Sequence, residues 1–183
     1  MNSANEPLPD AADPSKTPTP DSDVADAKAD DVVPAGIQAK IVNQYVKDLA
    51  FDNPNSRKLL SAPGDPPNIQ VEVNVLAQPL ENDFYESAID ITATATNNLG
   101  HIYTVEVVYA GLLKIDSIPE QALEPFLLIS GPTMLFPFLR RLVADITREG
   151  GFPPLLLEPM DFGALYMRRQ QQERDRDAHD DTE

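Results

Sequence analysis

Two carboxylates in the stretch YVKDLAFDNPNS, Asp48 and Asp52, are the first residues whose spacing could do chemistry. Side chains alternate along a strand, so Tyr45, Lys47, Leu49 and Phe51 are expected on one face and Val46, Asp48, Ala50 and Asp52 on the other. The two acids then share a face, roughly 13 Å apart at about 3.3 Å per residue. Paired acids divide into general acid and base only where burial or a close like charge raises one pKa. A wet strand face supplies neither condition. A third acid, Glu106, is the only charge in YTVEVVYAG and points away from Tyr103, Val105, Val107 and Tyr109. With those four in the core, Glu106 lies on the same outer face as Asp48 and Asp52. Outward charges also serve solubility and guard sheet edges, so the trio alone does not define a function.

Other chemistries have less to stand on. Of two histidines, His101 lies at a hairpin and His179 in an acidic C-terminal stretch, so they form no helical metal pair. No serine sits in a nucleophile elbow, and the eight glycines never form a phosphate loop. Cysteine is absent, which removes disulfides and thiolate metal sites. No catalytic residue, metal ligand or cofactor site is therefore expected. A formal net charge of −16 argues against nucleic acid or an anionic membrane surface as partner.

The acids must be placed by a sheet. After the Asp48 strand, NPN breaks the pattern, because Pro54 cannot donate to a ladder and Asn favours turns. NIQVEVNVLA alternates, with Ile69, Val71, Val73 and Val75 on one face. FYESAIDITATAT puts Tyr85, Ile89, Ile91, Ala93 and Ala95 inward, and Glu86, Asp90 and three threonines outward. NNLG is a hairpin signal leading into HIYTVEVVYAGLL. Four antiparallel strands with one covered face follow.

The period then becomes helical. In TMLFPFLRRLVADITREGG, Thr133 is a candidate N-cap and Gly150–Gly151 a stop. Leu135, Phe138, Leu139, Leu142 and Ile146 form one stripe, yet Met134, Phe136 and Val143 lie off it. A helix apolar most of the way round needs cover on two sides, which implies a second subunit. A short last helix starts at Asp161 in DFGALYMRRQQQ. The fold class is thus α+β: a four-stranded antiparallel sheet, then one long and one short helix, oligomerising through the long helix.

Residues 1–34, with six prolines and eight acids, read as a disordered extension, residues 35–172 as the folded domain, and residues 173–183 as a disordered acidic tail. The N-terminal residues lack the basic and apolar parts of a secretory signal, and no apolar run approaches the ~20 residues of a membrane span. A cytoplasmic protein without direct membrane insertion is expected.

From about Tyr45 to Gln172 the chain resembles SecB, the tetrameric protein-export chaperone family of bacteria. The resemblance rests on YVKDLAFDNPN, EVVYAGLLKI, PTMLFPFLRRLVADITREGGFPPLLLEPMDFGALY and the trailing RRQQQ. It implies a homotetramer, a dimer of dimers, with long helices between two outward-facing sheets. It also implies that Asp48, Asp52 and Glu106 bind SecA, the motor ATPase of export. Phe162, Leu165, Tyr166 and Met167 of the last helix would supply a second contact. An ATP-independent holdase for unfolded secretory precursors needs apolar grooves instead of an active site, and Val71, Val73, Leu123, Phe126, Leu127 and Leu128 are candidate lining residues or ordinary core. Two other readings stand beside it: a chaperone of this fold for a non-secretory client such as a toxin, and a small-molecule-binding α+β domain.

Overall fold

The computed structural model describes residues 38–61 and 64–180. The extension expected over residues 1–34 and the last three residues lie outside them. Four strands, β1 (Gln38–Asp52), β2 (Asn68–Pro79), β3 (Phe84–Asn97) and β4 (Gly100–Ser117), form one antiparallel sheet in the order β1-β4-β3-β2. A short helix, α1 (Ser56–Ser61), lies in the connection that crosses from β1 to the opposite edge. The β3–β4 hairpin closes at the NNLG signal, with Asn97 opposite Gly100. Asn82 and Asp83, both at φ 59°, turn β2 into β3.

One face of the sheet carries the core. Ile89, Ile91, Ala93 and Ala95 of β3 and Val105, Val107 and Leu113 of β4 are buried there, as their alternation predicts. Above them run α2 (Glu120–Pro125), a π-helical turn (Phe126–Ser130) and α3 (Gly131–Glu149). This continuous segment, Glu120–Glu149, is long and apolar enough to cross a membrane by length and composition, which the sequence alone does not suggest. One face of it is instead committed to the sheet: Leu127, Leu135, Leu139 and Val143 are all buried. The helix approaches closely at Gly111, where a Cβ would come within 2.7 Å of Leu135.

The π-turn explains why α3 does not begin at Thr133. A π-turn pairs each carbonyl with the N–H five residues on, and for Leu127 that residue is Pro132, which has none. The Ser87 hydroxyl of β3 donates to the Leu127 carbonyl instead, at 2.8 Å in the core. Thr133 sits inside the helix and returns its hydroxyl proton to the Ile129 carbonyl at 2.6 Å. The C-terminal stop is where the glycines indicated: Gly151 takes φ 87°, a conformation costly for side chains with a Cβ.

The stripe expected as an oligomer interface divides between two surfaces. Leu135 and Leu139 are buried in their own protomer, while Phe138 is 43% exposed and Leu142 and Ile146 are half-buried. The helix is phased on Leu135, Leu139, Val143 and Thr147, with Phe136 beside them, so Phe136 and Val143 are core and not a second face. The last helix, α4 (Phe162–Asp180), is long rather than short. Asp161 caps it as expected, its Oδ1 accepting the Ala164 N–H at 2.9 Å. It continues through residues 173–180, where a disordered tail was expected. Pairs one turn apart carry it there: Arg169 with Glu173 at 3.0 Å and Gln171 with Asp175 at 2.9 Å.

Candidate functional site

The face of the sheet away from the helices is a grid whose rows are set by register. At the hairpin end, one row reads Asp52, Thr104, Thr94, Gln70 across β1, β4, β3 and β2. The next reads Ala50, Glu106, Thr92, Glu72, and the third Asp48, Val108, Asp90, Asn74. Asp48, Asp52 and Glu106 are exposed and adjoin one another: Glu106 is diagonal to both aspartates, roughly 7–8 Å away across the ladder. The register adds two acids that the sequence placed outward or left aside, Asp90 and Glu72. Five carboxylates thus occupy three rows with no basic side chain among them. His101 borders the patch at the hairpin, its Nε2 3.1 Å from the Thr104 hydroxyl.

Strict alternation fails beyond Asp48. A β-bulge between Val46 and Asp48 makes Lys47 the extra residue of β1. Tyr45 therefore faces outward with Asp48, opposite Ala110, although alternation puts it inward with Leu49 and Phe51. Lys47 turns to the outer face as well. Both side chains cross the small residue Ala110 to Glu86 of β3, which is 7% exposed despite its outward position. Lys47 Nζ donates to Glu86 Oε1 at 2.6 Å, the Tyr45 hydroxyl donates to Oε2, and Gln78 Nε2 adds a bond to Oε1 at 3.0 Å. Burial pushes the Glu86 carboxyl up, but the hydrogen bonds from Lys47 and Tyr45 and the Lys47 charge outweigh it and hold it below the usual carboxylate range. Hydrogen bonding to Glu86, then burial and the Glu86 charge, raise the Tyr45 phenol to about 12.

The opposite face holds an apolar cavity of about 610 Å³ at the same end of the sheet. Tyr103 and Phe152 form its aromatic wall, their rings 4.9 Å apart, with Phe51 packed behind Tyr103 at 5.8 Å. Ile69, Ile102, Leu59 and Leu155 complete the apolar lining, and Pro66, Pro67, Pro153 and Pro154 frame it. Burial raises the Tyr103 phenol, as an apolar site should. Asn53 also lines the cavity, and its buried Oδ1 has no hydrogen-bond partner. None of the six groove candidates lines this cavity. Val73 and Leu128 border a smaller hollow of about 170 Å³ against α4, Val71 is 41% exposed on β2, and Leu123 is half-buried. Phe126 and Leu127 are core, packed with Leu113 and Ile115. A sequence signal for this cavity lies in FPPLLLEP, whose prolines hold Phe152 and Leu155 off any helix.

The last helix divides its candidates. Phe162 is 2% exposed and meets Phe136 edge-on at 5.6 Å, so it anchors the helix and is closed to a partner. Leu165 and Tyr166 are half-buried, and Met167 is 66% exposed. Arg169 reaches back to edge strand β2, its Nη1 donating to the Val75 carbonyl at 3.2 Å.

The sheet thus carries an apolar cavity on one face and, at the same end of the other, three rows with five carboxylates. The family model described as "Preprotein translocase subunit SecB" matches residues 34–173. The chain belongs to the SecB family. Among curated relatives, the protein-export protein SecB of Rhizorhabdus wittichii is 48% identical over 136 residues, covering 74% of this chain and 81% of the relative. That of Zymomonas mobilis is 44% identical over 136 residues, covering 74% and 82%. A solved SecB-like chaperone of Mycobacterium tuberculosis, in complex with a ChAD peptide from the HigA1 antitoxin, shares the fold with a TM-score of 0.56. It is 18% identical, over 68% of this chain and 91% of its own.

Proposed function

We propose that this SecB-family protein is an ATP-independent holdase that keeps secretory precursors unfolded in the cytoplasm and passes them to SecA. The observation that carries the reading is the pairing of two surfaces on one sheet end. The cavity offers mostly apolar contact, with Asp65 the one charged residue of its lining, which suits many extended segments better than one metabolite. The outer face offers Asp48, Asp52 and Glu106, joined by Asp90 and Glu72, to a basic partner surface, which SecA would supply. Met167 and the exposed parts of Leu165 and Tyr166 form the second SecA contact. Its protein-export relatives, which match most of the chain, support the same reading.

The assembly proposed is a tetramer, a dimer of dimers. Phe138, Val46 and Leu49 leave 43%, 42% and 43% of their surface exposed on the helix side, an apolar area that a second copy would cover. Light scattering tests this first: four subunits per particle are expected at micromolar concentration, and a single-subunit mass would refute it. The same sample should then bind an unfolded precursor without nucleotide, ignore the folded form, and bind SecA. Binding of one defined peptide only, or a direct effect of ATP on affinity, would remove the holdase reading.

A further inference from the structure

Lys47 is the cation closest in sequence to the acidic rows, immediately before Asp48 and on the same face because of the bulge. An ammonium on a four-carbon stem at that place can reach its neighbouring carboxylate. It does not, because Glu86 holds it from two strands away at 2.6 Å. Three features make that reach possible. The bulge turns Lys47 outward, Ala110 and Ala88 leave room above the two central strands, and Tyr45 with Gln78 fixes both oxygens of the Glu86 carboxylate. The Glu86 side chain is 9% exposed, so it cannot itself meet a docking protein, whereas Lys47 remains 46% exposed.

We propose that Glu86 is a positioning residue of the docking face: it draws the Lys47 ammonium away from Asp48 and so keeps the five carboxylates free for a basic partner. The inference rests on the docking reading above and deepens it. Without Glu86, Lys47 becomes an internal counter-ion for Asp48, and SecA must displace it.

The test measures SecA affinity and its salt dependence for five forms of the full chain. Asp48→Asn with Glu106→Gln tests the docking reading itself. Glu86→Gln should weaken SecA binding roughly twofold to fivefold, the scale of one partly screened charge pair, and flatten the salt dependence. Lys47→Gln alone should bind at least as tightly as the parent. The deciding form is Glu86→Gln with Lys47→Gln: with no ammonium to release, affinity and salt slope should return to parental values. Client binding and particle mass should be unchanged in all. Glu86→Asp, which keeps the charge but shortens the reach, should fall between parent and Glu86→Gln, and it stands in if Glu86→Gln fails to fold. A double form as weak as Glu86→Gln would overturn the inference, since Glu86 would then act only through the shape of the sheet. Parental binding by Asp48→Asn/Glu106→Gln would overturn the docking reading and the inference together.

Discussion

Tyr103 and Thr104 are neighbours in β4, yet they belong to surfaces with opposite rules. On the Tyr103 side, contact comes from ring faces and branched side chains around an open volume, and many shapes can fill it. On the Thr104 side, each acid is held at a fixed spacing by ladder register. The first surface tolerates variety because dispersion and apolar burial are non-directional. The second selects, because charge complementarity depends on position. On the proposed reading, one thin sheet is promiscuous on one side and specific on the other, and each side responds to its own mutations.

The largest effect should come from the helix between sheet and solvent. Leu139→Asp would bury an unpaired carboxylate at a site with 0% exposure and should cost at least about 4 kcal/mol, unfolding the protomer. Phe138→Glu, one residue away but 43% exposed, should leave the helical circular dichroism intact and lower the particle mass. If Phe138→Glu unfolds the chain as Leu139→Asp does, the outward face of α3 is not a separable interface.

That adjacent pair also shows where the sequence was legible. Alternation located all four strands and put Asp48, Asp52 and Glu106 on one face, because a half-covered sheet writes a two-residue period directly. The phase of α3 was harder to read. Apolar residues surround most of the helix, so periodicity alone could not say whether Leu135–Leu139 or Phe138–Leu142 faced the sheet. The bulge at Lys47 left no mark, since one inserted residue in YVKDL preserves the look of alternation while turning Tyr45 over. Glu86 was read as an ordinary outward acid for the same reason: its burial depends on side chains 39 and 41 residues away. The polar end of α4 looked like a tail because its stability lies in pairs one turn apart, not in an apolar face.

Next in size are changes on the apolar side. Phe152→Ala removes a ring 4.9 Å from Tyr103 and should weaken client binding by roughly 1–2 kcal/mol, with SecA affinity unchanged. Titration of an unfolded precursor by calorimetry checks it, and the heat-capacity change of the parent should be negative. On the acidic side, Asp48→Asn with Glu106→Gln should cost roughly 1–3 kcal/mol of SecA binding and leave client affinity alone. Parental binding should weaken as salt rises, because exposed charges act over ~10 Å at 0.1 M ionic strength. Mutations that moved both affinities together would show that the two surfaces are not independent.

The smallest effect is one of pH and sharpens the contrast between free and locked acids on the outer face. Tyr45 is raised in the folded protein from 10.0 to about 12, because its hydroxyl donates to buried, ionised Glu86. A group whose folded pKa is raised stabilises the fold below its unfolded pKa and loses that contribution as pH rises through the folded value. Stability should therefore decline between pH 10 and pH 12 by an amount that Tyr45→Phe removes. Glu86 is shifted the other way, so its contribution is present above the ordinary value of 4.5 and is lost as pH falls below it. Glu86→Gln should lack that acid-side loss. Chemical denaturation at pH 7, 9, 11 and 12, with the phenolate followed by absorbance, measures the alkaline limb for parent and Tyr45→Phe. Tyr103 and Tyr166 also titrate late, both raised chiefly by burial, so only the difference between the two proteins reports on Tyr45. Identical alkaline limbs would mean that the Tyr45–Glu86 bond adds no stability, and the lock over Ala110 would then rest on Lys47 alone.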